Sequence, residues 1–207
     1  IAPAAFLPAA ERFHLAPRID RWVLRHVFDW LKTVDDAEPA VEMVSINLSG
    51  QSIGDRTFHQ HVEHMVRSAD FDVRRVCFEI TETAAITNLQ DAKSFIDSVR
   101  ALGVKISLDD FGAGASSFGY LKTLPVDYLK IDGQFIRQLL KDPLDGAAVR
   151  CFREIARVLG VKSIAEYVED QSVREALCEI GVDLVQGYLI HKPEPLSQLI
   201  PHEIEQL

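Results

Sequence analysis

The sequence has no apolar run approaching the roughly 18 residues that mark a candidate bilayer span, and Ile1 to Ala10 lacks the basic start of a secretory signal. The chain therefore reads as soluble. Cysteine is scarce. Cys77, Cys151 and Cys178 are odd in number, far apart and set among apolar neighbours. That excludes a disulfide framework and reads as three reduced core residues in a reducing compartment. Basic charge is also short: 22 Lys and Arg stand against 31 Asp and Glu, for a formal net charge of -9. This is the wrong sign for holding a nucleic-acid polymer by counterion release, and an anionic ligand would need metal ions or local donors. Linkers rich in Pro, Gly or Ser are missing as well, so the 207 residues read as one domain. What remains, 47% hydrophobic and 26% charged, is globular in balance and can bury a core.

From residue 40 onward, β-branched runs alternate with amphipathic stretches. Strands are expected at 43–48, 76–81, 104–108, 128–131, 163–168 and 183–185. Helices are expected near 55–69, 90–102, 133–140, 145–159 and 170–180, with Gly103, Gly160 and Gly181 as stops after three of them. Strict alternation with crossovers of this length implies a parallel sheet covered by helices, either doubly wound or closed as a barrel. Before residue 40 the pattern is helical, with Pro3 and Pro8 as entry residues and an apolar stripe of Ile19, Trp22, Val23, His26, Val27 and Trp30 read as core packing.

Near the end of each expected strand a polar residue interrupts an apolar context: Asn47, Glu79, Asp109 with Asp110, Lys130, Glu166 and Gln186. In a parallel barrel those ends meet at one mouth, where enzymes of that architecture place their chemistry; a doubly wound sheet would spread them along an edge. Four carboxylates around one lysine repel one another and call for cations. All-oxygen donors without Cys or His suit Mg²⁺ or Mn²⁺ rather than zinc. The adjacent acids at 109 and 110 suit a pair of ions that activates water against a phosphodiester. A Schiff-base aldolase built on Lys130 is the rival, but such a lysine is activated by apolar or cationic neighbours, not by carboxylates.

The strings I-N-L-S at 46–49, F-E-I-T-E-T at 78–83, L-D-D-F-G-A-G at 108–114, Y-L-K-I-D at 128–132, A-E-Y-V-E at 165–169 and Q-G-Y at 186–188, at their mutual intervals, resemble the EAL domain family of cyclic di-GMP phosphodiesterases. The likeness runs from about Pro3 to Pro195. It implies a modified TIM (β/α)₈ barrel whose first strand is antiparallel to the rest. It also implies hydrolysis of cyclic di-GMP to linear pGpG with two Mg²⁺ or Mn²⁺ ions and inhibition by Ca²⁺. By the resemblance, Asn47, Glu79 and Asp109 hold one metal, and Asp109 bridges to a second held by Asp110 and Glu166. Lys130 positions or deprotonates the attacking water, while Gln186 lines the mouth. Asp132 either orients Lys130 and contacts substrate or only caps the next helix. Glu82 anchors the loop Asp110 to Ser117, which couples the site to a homodimer interface. A fused upstream GGDEF or sensor domain, and a cytoplasmic domain within a membrane-tethered parent, complete the family picture. The alternative is a cyclic di-GMP receptor that does not hydrolyse its ligand.

The family's Glu-Ala-Leu segment, whose glutamate is a further ligand, is expected upstream of Ile1 along with the first two strands, so 1–207 reads as a single EAL-type barrel domain incomplete at its N-terminus. Ala113 and Ala115 stand where the family more often has a hydroxyl and a bulkier residue, which bears on loop order. His59, His61 and His64 read as solvated helix histidines rather than a metal site, Gly112 to Gly114 as a mobile loop rather than a phosphate cradle, and Glu169 as a helix-dipole partner rather than a ligand.

Overall fold

A computed structural model describes residues 3–34, 41–114 and 118–199. Six strands form one parallel sheet in the order β1 (Val44–Leu48), β2 (Val76–Thr81), β3 (Lys105–Phe111), β4 (Tyr128–Ile131), β5 (Lys162–Ala165) and β6 (Leu184–Val185). The sheet curls as a half-barrel, and among the described residues β1 and β6 are its two edges. The helices are α1 (Leu7–Arg12), α2 (Ala16–Leu31), α3 (Gly50–Ile53), α4 (Arg56–Arg67), α5 (Glu82–Thr87), α6 (Leu89–Ala101), α7 (Gly133–Arg137), α8 (Pro143–Leu159) and α9 (Gln171–Ile180). All six expected strands and five expected helices are present. The helix expected to reach residue 140 stops at Arg137, and β3 runs on to Phe111.

Strand register divides the side chains between two faces. Glu79 pairs with Asn47 on one side and with Ser107 on the other, and Ser107 pairs with Tyr128. Because successive side chains alternate, Asn47, Cys77, Glu79, Ser107, Asp109 and Lys130 point inward. Ile46, Leu48, Val76, Phe78, Ile80, Ile106, Leu108, Leu129 and Ile131 point outward against the helices and are all buried. The hydrophobic core thus lies between sheet and helices, leaving the inner face for polar groups.

Aspartates placed just before β4 and just before α8 tie down the connecting loops. Asp127 accepts Ile106 N–H at 2.9 Å and the Arg100 guanidinium at 3.0 Å. Asp142 caps α8 by accepting Leu144 N–H at 2.8 Å, and Gly160 ends that helix in the left-handed conformation (φ +72°) that glycine adopts without strain.

Several expectations fail because a polar partner or the rotation of a helix, not residue hydrophobicity alone, decides burial. In α2 the buried set is Ala16, Asp20, Leu24, Val27, Phe28 and Leu31, whereas Trp22 is 58% exposed and lies off the core. Asp20 can be buried because its carboxylate accepts Ser49 N–H at 2.9 Å and Ser52 Oγ–H at 2.6 Å. His59 is a core residue, its Nε2 2.8 Å from Ile53 O and its ring against Phe95. Of the cysteines only Cys77 is buried, and burial followed by the nearby Glu79 charge pushes its thiol up to about 12. Cys151 and Cys178 each sit one residue, about 100° of helix, off a buried neighbour, Phe152 and Leu177, and are exposed.

Candidate active site

Asn47, Glu79, Asp109, Asp110, Lys130, Glu166 and Gln186 all line one cavity of about 410 Å³ at the C-terminal mouth of the sheet. Each reaches it by strand geometry: Asn47, Glu79 and Lys130 from within β1, β2 and β4, Glu166 and Gln186 from the first residue after β5 and β6.

Adjacent strand residues ordinarily point to opposite faces, so Asp109 and Asp110 need a device to share one mouth. Between Leu108 and Phe111 the strand gains one residue relative to β4, where Leu108 faces Leu129 and Phe111 faces Ile131. Asp110 adopts φ +54° within that bulge, which re-aims its side chain. Carboxylate oxygens of Asp109, Asp110 and Glu166 then lie within 4.8 Å of one another. Burial, and next the Asp109 charge, raises the Asp110 pKa.

Lys130 stands at the centre, almost wholly buried. Its ammonium is 2.8 Å from Glu79, 3.1 Å from Asp109 and 2.5 Å from Glu166. Burial works to lower its pKa, but the three carboxylates outweigh that and raise it. For Glu166 the balance goes the other way: burial, against the pull of Lys130 and with the push of Asp109, lifts the carboxyl to about 7. Among the described lining residues Lys130 is the one cation in this crowd of oxygen donors, a set that fits a hard divalent metal ion.

Glu82 lies outside the cavity. Thr81 caps α5 and so places Glu82 at its first turn, where it is 1% exposed. One oxygen accepts Gly112 N–H at 3.1 Å and the other accepts the Tyr120 hydroxyl. Both ends of the segment after β3 are thereby fixed to one carboxylate; residues 115–117 lie outside the described residues. At Gly112 a Cβ would sit 2.5 Å from the Phe152 ring, so the turn packs directly on the aromatic cluster of Phe111, Phe118, Phe135 and Phe152. Asp132 is not among the lining residues; its side chain accepts Gln134 N–H at 2.7 Å and caps α7.

Four further residues line the cavity: Tyr167, Glu169, Gly187 and Tyr188. Glu169, read from sequence as a dipole partner, faces the mouth instead. Gly187 has its reason in close approach, since a Cβ there would lie 2.3 Å from Val168 N and O. That contact lets Val168 N–H donate to Gln186 O at 3.0 Å, holding the ends of β5 and β6 together. Tyr167 carries no sequence signal for its position, because a tyrosine with φ +52° is not legible in a one-dimensional pattern.

The EAL domain family matches residues 1–193. The chain belongs to the EAL domain family. Among curated EAL relatives, it is 42% identical over 197 residues to the cyclic di-GMP phosphodiesterase PdeB of Shewanella oneidensis, covering 95% of this chain and 23% of that protein. To the cyclic di-GMP phosphodiesterase PdeF of Escherichia coli it is 37% identical over 207 residues, 100% of this chain and 27% of that protein. The chain thus spans about a quarter of the length of these relatives. The solved PaMucR phosphodiesterase in complex with c-di-GMP superposes with a TM-score of 0.90 at 34% identity, covering 97% of this chain and 81% of that one. The EAL fold, TIM-like, accounts for the curled parallel sheet. No helix among the described residues is long and apolar enough to cross a membrane.

Proposed function

We propose that this EAL domain is a metal-dependent phosphodiesterase that opens cyclic di-GMP to linear pGpG. The observation that carries the reading is the convergence of Asp109, Asp110 and Glu166 beside Lys130. Asn47, Glu79 and Asp109 would hold one divalent ion, and Asp109, Asp110 and Glu166 a second. Bound there, Mg²⁺ or Mn²⁺ supplies charge stabilisation at the phosphoryl oxygens and a more acidic water. Lys130, held as an ammonium by three carboxylates, aligns the attacking water. Gln186 meets the ligand at the far side of the mouth. Glu82, holding Gly112 and Tyr120, keeps the end of β3 in register with the acids. The same reading makes Ca²⁺ an inhibitor, since its looser shell holds water less well. It takes residues 1–207 as one domain that pairs as a homodimer through the segment after β3 and serves an upstream GGDEF or sensor domain.

The test is pGpG release with Mg²⁺ or Mn²⁺. Lys130→Ala should retain cyclic di-GMP binding and lose about 10² to 10⁴ in turnover, the usual share of a positioned acid or base. Glu166→Ala should lose metal binding and turnover together. A wild type that binds the dinucleotide and releases no pGpG would make the domain a receptor.

A further inference from the structure

The connection from β1 to α4 is hooked onto α2 at both of its ends. Asp20, buried on α2, accepts Ser49 N–H at 2.9 Å and Ser52 Oγ–H at 2.6 Å, both on the same carboxylate oxygen. Next along the helix, Arg21 meets Asp55 at 3.2 Å, and Asp55 caps α4 by accepting Thr57 N–H at 2.8 Å. Between the two hooks lies α3, whose own start is capped by Ser49. Asp20 is the stronger hook. The Arg21 pair is partly exposed and an ion pair of that kind is worth little, whereas buried donors that lose their acceptor are costly.

Ser49 stands two residues after Asn47. On one side Asn47 pairs with Glu79 of β2, and on the other, among the described residues, no strand supports it, since β1 is an edge. The last ladder pair is Leu48 with Ile80, so the backbone leaves the sheet at Ser49, and Asp20 takes its N–H at that point. Just beyond, Gly50 approaches α5 so closely that a Cβ would lie 3.2 Å from Ala84 Cβ. The chain after Asn47 is thereby gripped between α2 and α5.

A side-chain amide is a neutral ligand for a hard divalent ion, so its oxygen contributes most when it is held in place beforehand. Glu79 and Asp109 are held through their side chains, by Lys130 at 2.8 and 3.1 Å. For Asn47 the hold is on the backbone that follows it. We propose that Asp20 is a positioning residue for Asn47: by clamping Ser49 and Ser52 it fixes the end of β1, and with it the amide offered to the first ion. Asp20 does not itself line the cavity. This rests on the metal-dependent reading above and adds to it a buried acid that acts on the site from outside the mouth.

The experiment measures, on the full protein without nucleotide, the calorimetric Kd for Mn²⁺. Asp20→Ala removes the acceptor that Ser49 and Ser52 share. Mn²⁺ affinity should fall about tenfold, the lower end of what the loss of a supporting partner costs a metal site. In an Asn47→Ala background, which lacks the amide, the same substitution should weaken Mn²⁺ binding no further, because residues that act as a unit do not add. Ser52→Ala, the milder variant, takes away one of the two donors and should weaken binding about threefold, the weight of one ordinary hydrogen bond. A folded Asp20→Ala protein that binds Mn²⁺ within twofold of wild type overturns the positioning role while leaving the metal-dependent reading intact. Should Asp20→Ala fail to fold, wild-type affinity in Ser52→Ala overturns it. Equal losses in the wild-type and Asn47→Ala backgrounds overturn it in favour of a general loosening of the fold. A wild type that binds no Mn²⁺ overturns both readings.

Discussion

Asp183 and Ser163 bond each other reciprocally: the Asp183 carboxylate accepts Ser163 N–H at 2.8 Å and Ser163 Oγ–H at 2.7 Å, while Ser163 Oγ accepts Asp183 N–H at 3.2 Å. Each stands three residues before a cavity residue, Glu166 and Gln186, so the clamp sets the register of β5 against β6 below the mouth.

Burial works to raise the Asp183 pKa, but the hydrogen bonds from Ser163 and the charges of Arg153 and Lys162 outweigh it and hold the carboxyl below its ordinary value. A folded-state pKa below the unfolded one contributes stability that is present above about pH 4 and is lost as pH falls through the folded value. Because the group is partly exposed, the screened contribution is about 0.5 kcal/mol. Urea unfolding of wild type and Asp183→Asn should converge between about pH 5 and pH 3. A constant difference across that window would remove Asp183 as the source.

Tyr120→Phe should destabilise the protein by about 1 to 3 kcal/mol, because it takes one of the two donors from the buried Glu82 carboxylate. Burial, then the bond to Glu82, keeps the Tyr120 hydroxyl protonated at any working pH, so the effect should not vary between pH 6 and 9. Chemical denaturation at two pH values checks both statements.

Gly187→Ala should cost about 2 to 4 kcal/mol, since the added Cβ meets backbone atoms of Val168 that have no rotamer with which to escape. Thermal melts should show a drop of several degrees. An unchanged Tm would mean that the segment after β6 can shift away from β5 at little cost.

Mg²⁺ or Mn²⁺ should raise the melting temperature by mass action on the folded state, and EDTA should reverse it. Asp109→Asn should remove most of the rise, because Asp109 belongs to the acidic cluster and also touches Lys130. Calorimetry with and without metal decides it.

The parallel sheet and the meeting of six polar residues at one mouth were legible because each polar residue breaks an apolar run at a strand end, and strand ends of parallel units share a side. The bulge at Asp110 and the left-handed turn at Tyr167 were not, since neither contains a glycine to announce a positive φ. Helix α5 escaped notice because six residues are too few to display a helical period. The face of α2 was misjudged because Asp20, a carboxylate with two buried donors, occupies a core position that hydropathy assigns to tryptophan.

The division of the sheet into an apolar outer face and a polar inner one has an experimental signature. Along β1 to β4, saturation mutagenesis read out by cellular abundance should peak at Ile46, Phe78, Ile80, Ile106 and Leu129. The same library read out by dinucleotide turnover should add peaks at Asn47, Glu79, Asp109 and Lys130. The two traces should run one residue out of phase, so subtracting one from the other would draw the catalytic face from phenotype alone.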